Sequence, residues 1–168
     1  MSKKKIAING FGRIGRLVFR AYLERVKEFN ETYEIAYIND LADIDSNIHL
    51  LKYDSVHGAL TQEIKKTADN KFSVGDNEIT VTSERNPIDL KWGDKGVDVI
   101  LECTGVFASK EKAMSHIESG AKKVIVSAHL HSDITTMAFT PVQTCPYILR
   151  NEPRPFDEHG TLNHDPHT

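Results

Sequence analysis

An α/β fold, with helices wound on both faces of a mostly parallel sheet and an antiparallel hairpin inserted at one edge, is predicted by three features of the sequence. Short apolar, β-rich runs alternate with longer amphipathic ones up to Ala128, the pattern of parallel strands joined by helices. Residues 59–83 break that rhythm with short alternating runs separated by the turn signals Asp69-Asn70 and Gly75-Asp76-Asn77. Finally, 168 residues have room for one full core and an appendage, not for two ordinary domains.

In chain order, Lys5 to Asn9 (KIAIN) reads as a strand ending at glycine, and Arg13 to Phe29 as a helix in which Leu17, Val18, Ala21, Tyr22 and Val26 recur at helical spacing. Glu34 to Asn39 (EIAYIN) is the next strand. Asp43 to Leu51 is a second helix with Ile44, Ile48 and Leu51 on one face. After the alternating stretch, which includes EITVT, Asp98 to Glu102 returns to a buried strand. Ser109 to Ser119 is a helix capped by Ser109, and Lys123 to Ser127 a last strand. Composition then shifts: five of the six prolines and five of the eight histidines lie beyond Ala128, and nine of the ten glycines before it.

Composition narrows the function classes. A hydrophobic fraction of 39% beside 27% charged residues is that of a globular chain. The net charge of -3, with basic residues only in local pairs such as Lys65-Lys66 and Lys122-Lys123, offers no field for a nucleic-acid backbone. The apolar run behind Met1 to Lys5 is short and broken by Asn9, Arg13 and Arg16, so neither a signal peptide nor a membrane span is expected. Two cysteines, Cys103 and Cys145, without a C-x-x-C, suit a reducing cytoplasm.

The residues that carry chemistry begin at Gly10-Phe11-Gly12-Arg13-Ile14-Gly15, a G-x-G-x-x-G that follows one predicted strand and opens a helix. In that context Gly10 permits the tight turn, Gly12 lets the backbone approach a pyrophosphate, and Gly15 lets the helix pack close to the sheet. The amides of Arg13 and Ile14 then point at phosphates from the positive end of the helix dipole. Asp40, twenty-five residues after Gly15 at the end of the second strand, is the carboxylate expected to hydrogen-bond the adenosine ribose. Its charge would repel a 2′-phosphate, which favours NAD over NADP. The competing reading is that Asp40 caps the following helix or turn. Strand, loop, helix and strand together specify a Rossmann-type dinucleotide fold.

INGFGRIGR (Ile8 to Arg16), IND (Ile38 to Asp40), LKYDSVHG (Leu51 to Gly58), Trp92-Gly93, ECTGVF (Glu102 to Phe107) and KKVIVSA (Lys122 to Ala128) occur in one order and spacing. This set resembles the glyceraldehyde-3-phosphate dehydrogenases, a glycolytic oxidoreductase family, over about the first three quarters of the chain. The resemblance implies an NAD-binding domain in which Arg13 and Ile14 meet the pyrophosphate and Asp40 the ribose. By the same resemblance the main chain of Arg85 lies by the adenine, Thr104 and Gly105 line the route toward nicotinamide, Phe107 packs near that ring, and Ser127 approaches the nicotinamide end. From the residues alone, Arg85 is equally a solvated turn residue, Thr104-Gly105 a strand-ending turn and Phe107 ordinary core.

The family's nucleophile sits in a Ser-Cys-Thr-Thr-Asn segment and its base is a histidine of the following domain; neither segment occurs in the sequence. Cys145, in Gln-Thr-Cys-Pro-Tyr, is followed by a proline that removes the next amide. Cys103 reads as a small buried residue. No catalytic residue is therefore assigned. The departure from the family begins at His129; residues 1–139 are read as the NAD-binding domain, and residues 140–168 as an unrelated tail expected to be disordered. The histidines 129, 131, 159, 164 and 167 lack ligand spacing, and no metal site is expected. The expectation is a truncated NAD-binding half of a dehydrogenase, inactive alone and not expected to form the family's homo-tetramer. The alternative is a binding or interaction module retained without catalysis.

Overall fold

The computed structural model describes residues 3–29 and 31–127. The boundary read at residue 139, the tail 140–168, Cys145 and the five late histidines lie outside the described residues. The first strand, β1 (Lys4–Asn9), runs into the glycine loop and then α1 (Arg13–Glu24). A separate short helix, α2 (Val26–Phe29), follows, so the single helix expected over 13–29 is broken at Arg25. β2 (Tyr33–Asn39), α3 (Ile44–Lys52) and a two-residue pair, β3 (Tyr53–Asp54) with β4 (Gly58–Ala59), come next. The edge strands are β5 (Ile64–Ala68), β6 (Lys71–Val74) and β7 (Asn77–Thr82). A 3-10 turn (Pro87–Leu90), β8 (Val97–Glu102), α4 (Lys110–Glu118) and β9 (Lys123–Val126) complete the described chain.

Seven strands form one sheet in the order β5-β6-β7-β2-β1-β8-β9. β7, β2, β1, β8 and β9 pair in parallel, while β5–β6 and β6–β7 are antiparallel. The antiparallel hairpin expected at the edge is β5–β6, and the alternating stretch runs on into β7. Its last strand turns parallel to β2 and joins the main sheet, because the Gly75-Asp76 turn sends EITVT back along the β2 edge. The chain winds from β1 toward β2 on one side and from β8 to β9 on the other. The order therefore reverses between β1 and β8, the place where open α/β sheets bind ligands beyond the carboxyl ends of their strands.

Alternation along the strands builds two cores, one per face. Ile8, Ile35 and Ile38 meet Phe19, Tyr22 and Leu23 of α1 and Leu51 of α3, with Phe72, Ile79 and Val81 from the edge strands. Ala7 and Ile100 meet Trp92, Leu90, Ala113 of α4 and Val124. On α1 the buried side is Gly15, Phe19, Arg20, Tyr22 and Leu23; of the line expected from spacing Tyr22 is buried, Leu17 and Val18 are half-buried, Ala21 is exposed, and Val26 packs against the core from α2. The reason is local: Gly15 must lie against the loop, which turns its own i, i+4, i+7, i+8 stripe toward the sheet. The buried Arg20 guanidinium donates to the carbonyls of Leu51 at 2.7 Å, Lys52 at 3.2 Å and Gly58 at 3.0 Å, tying α1 to the end of α3 and β4. Asp43 caps α3 through the Ser46 amide at 2.8 Å, and Ser109 caps α4 through the Lys112 amide at 3.4 Å.

Candidate functional site

The glycine loop is built by two close approaches. Gly10 has φ of +88°, and a methyl there would come within 2.6 Å of Thr104 Cγ2 and 2.8 Å of the Thr104 nitrogen. At Gly15 a methyl would lie 2.2 Å from the Gly10 carbonyl oxygen, so α1 rests directly on the loop backbone. Gly12 precedes the first residue of α1 and brings no side chain to cap it, and a methyl on it would meet nothing within 4 Å. The first turn of the helix, with Arg13 and Ile14 exposed, thus opens on an uncovered face.

Asp40 follows β2 beside this loop. Its Oδ2 accepts from the Phe11 amide at 2.6 Å and its Oδ1 from the Ala42 amide at 2.9 Å. One bond stabilises the loop and the other the turn after β2, so the capping role is present. A carboxylate has about four acceptor positions, which leaves capacity for a further donor on this half-buried group. Arg13 lies 3.7 Å from Asp54. The amides of His57 at 2.8 Å and Val56 at 2.9 Å, chiefly, hold the Asp54 carboxyl well below the usual carboxylate range.

Beside the glycine loop, β8 ends in a turn. Gly105 has φ of +74° and the Val106 amide donates to Thr104 Oγ1 at 3.0 Å, which is the strand-ending turn foreseen as the plain alternative. Thr104 nonetheless meets Gly10, so the two loops touch. Phe107 is half-buried and packs edge-on against His116 at 5.7 Å between ring centres. Ser127 is exposed after β9, its amide bonded to the Glu102 carbonyl at 2.9 Å. Arg85 is exposed beside Glu84, whose main chain both donates to and accepts from the Asn39 side chain at 2.8 Å. Cys103 is half-buried; burial pushes its thiol up despite a hydrogen bond from the Ser127 side chain.

Beneath the two loops lies a polar network that the sequence reading did not single out. Glu102, fully buried, accepts from Asn9 Nδ2 at 2.6 Å, His116 Nε2 at 2.9 Å and the Thr104 amide at 2.8 Å. It also accepts from the Thr104 hydroxyl. Trp92 Nε1 donates to His116 Nδ1 at 3.3 Å, and Asn39 Nδ2 to Asn9 Oδ1 at 2.7 Å. Burial alone would raise the Glu102 carboxyl, but the bonds from His116, Asn9 and Thr104 together hold it below the ordinary range. The signal was available: Asn9, Asn39 and Glu102 are each the final, polar residue of an apolar strand.

Among the described residues no group of three or more His, Cys, Asp or Glu side chains is placed to hold a metal ion, and no helix is long and apolar enough to cross a membrane. Comparison with known proteins adds the family. Residues 4–110 match the model of the glyceraldehyde 3-phosphate dehydrogenase NAD binding domain. The plasmid-encoded glyceraldehyde-3-phosphate dehydrogenase of Cupriavidus necator is 50% identical over 130 residues, 77% of this chain and 38% of that protein. The Geobacillus stearothermophilus enzyme of that name is 50% identical over 132 residues, 78% of this chain and 38% of its own. For that of Clostridium acetobutylicum the figures are 48% over 135 residues, 80% and 39%. The chain thus matches well under half the length of these relatives. A glycine loop and helix N-terminus at the reversal of a doubly wound sheet, together with this match, show that the chain belongs to the glyceraldehyde-3-phosphate dehydrogenase family through its NAD-binding domain.

Proposed function

We propose that this chain is the cofactor-holding half of a glyceraldehyde-3-phosphate dehydrogenase and that NAD lies beyond the carboxyl ends of β1, β2 and β8. Gly10, Gly12 and Gly15 shape the loop, the Arg13 and Ile14 amides receive the pyrophosphate, and Asp40 accepts from the adenosine ribose. The Arg85 main chain borders the adenine, Thr104 and Gly105 the path to nicotinamide, and Ser127 its far end. The observation that carries the reading is the uncovered face of Gly12 at an uncapped helix start, with the Asp40 carboxylate bonded to the same loop. Bound NAD would supply the hydride acceptor; the chain's own residues bind and orient it.

On this reading the chain alone does not oxidise the aldehyde. Its raised, half-buried Cys103 thiol is a poor nucleophile, and the Ser-Cys-Thr-Thr-Asn segment is not in the sequence. Residues 1–139 form the NAD domain, and the protein belongs in the cytoplasm. Calorimetry on the purified chain should give similar affinities for NAD and ADP-ribose. Asp40→Ala should weaken NAD by about 1–3 kcal/mol, the worth of a hydrogen bond to a charged group, and narrow the preference over NADP. An unchanged NAD affinity would leave Asp40 only its turn-capping role.

A further inference from the structure

The Glu102 network has a direction that follows from donor chemistry. The Trp92 indole can only donate, so His116 Nδ1 must accept and His116 Nε2 must carry the proton it gives to Glu102 Oε2. The Asn9 amide, whose oxygen is already taken by Asn39, turns its nitrogen to the same Oε2. Oε2 therefore faces two donors. Oε1 faces two more, the amide and hydroxyl of Thr104. Three of the four partners, His116 Nε2, the Asn9 amide nitrogen and the Thr104 main-chain amide, can only donate, so the ionised carboxylate is the form that satisfies them all.

What Oε1 holds is the wall of the crevice. The Thr104 hydroxyl in turn accepts from the Val106 amide at 3.0 Å, and Thr104 sits where a methyl on Gly10 would strike it. We propose that Glu102 is a positioning residue for the dinucleotide, acting through Thr104: its buried carboxylate fixes the Thr104–Val106 turn against Gly10 as the second wall of the binding crevice. The proposal rests on the placement of NAD given above.

Glu102→Gln separates this role from general packing. The shape is kept, but the amide cannot turn its nitrogen toward Asn9 and His116, which are both donors. Its oxygen must take the Oε2 place, and its nitrogen then confronts the Thr104 amide. The substitution thus releases the turn and leaves the core-facing bonds. In the ligand-free chain, hydrogen exchange at the Thr104 and Val106 amides should accelerate. In calorimetry NAD and ADP-ribose should weaken about tenfold, the scale of one lost charged hydrogen bond, while AMP, which ends before that wall, should change less than about twofold. Thr104→Val, which cuts the same link from the exposed side, should show the same split and serves if Glu102→Gln does not fold. Unchanged exchange, unchanged NAD affinity, or a parallel loss of AMP would each overturn the proposal. A wild-type chain that binds no NAD would overturn the NAD placement instead, and the exchange measurement would still decide whether Glu102 holds the turn.

Discussion

The two faces of the sheet are closed by different physics. Toward α1 and α3 the interior is mainly hydrocarbon and aromatic, with the Arg20 guanidinium as its buried ion: Phe19 lies with Phe11, Tyr22 and Phe72 at ring-centre distances of 5.9, 6.2 and 6.4 Å. Toward α4 the same depth holds a carboxylate, an imidazole and an indole in one hydrogen-bonded chain, with Ala7, Ile100 and Val124 around it. A hydrocarbon face is specified by volume and yields gradually when volume is lost. A polar chain is specified by the direction of each proton and fails at the bond that is reversed. The first face holds the helices to the sheet; the second sets where the loops beyond it stand.

This contrast can be broken experimentally. The largest effect should come from the apolar face: Phe19→Ala removes a fully buried ring, and urea denaturation should show a loss of about 3–5 kcal/mol. Because Phe19 lies below the helix rather than in the loop, NAD affinity of the molecules still folded should stay near wild type; a large loss there would mean the two faces are not separable.

The polar face should respond less and in a pH-dependent way. At neutral pH Glu102→Gln should cost about 1–3 kcal/mol, the scale of a lost hydrogen bond to a charged group. The folded-state Glu102 carboxyl is depressed. Its ionised form therefore contributes stability that is present above the unfolded value of about 4.3 and is lost as pH falls through the folded one. Denaturation curves of the two proteins should accordingly begin to draw together as pH falls below about 4.3 and meet only below the depressed folded-state value; a constant gap would show that the charge of Glu102 is not what the network needs. The smallest effect should be Ser109→Ala at the α4 cap, about 0.5–1 kcal/mol by thermal melting, since this long bond serves one exposed amide. A larger loss would mean that α4 owes its place to its cap more than to the face it covers.

The parts legible in the sequence are those set by local rules. The glycine spacing placed the loop, apolar periodicity placed the helices and parallel strands, and Asp69-Asn70 and Gly75-Asp76 placed the edge turns. Local rules also misled where a tertiary contact decides. The face of α1 is chosen by Gly15 against Gly10, a contact that side-chain hydrophobicity does not encode. Likewise the parallel return of β7 depends on where β2 stands, and the alternation of EITVT is the same in either pairing. Of the site, Gly10, Gly12, Gly15 and Asp40 stood out because motif chemistry names them. Asn9 and Asn39 are marked only as polar ends of apolar strands, and His116 not at all, because its role rests on partners far along the chain.

That distance has a consequence in time. The bond from Asn9 to Glu102 joins residues 93 apart in sequence, and the contact of Asn9 with His116 residues 107 apart. Loops of that length close slowly, and none of these bonds can form until β1, β2, β8 and α4 have already met. We expect the network to close late in assembly, and folding and unfolding rates of Glu102→Gln would check it. Contacts made that late leave the rate of folding nearly untouched and instead govern how long a folded molecule survives before it opens.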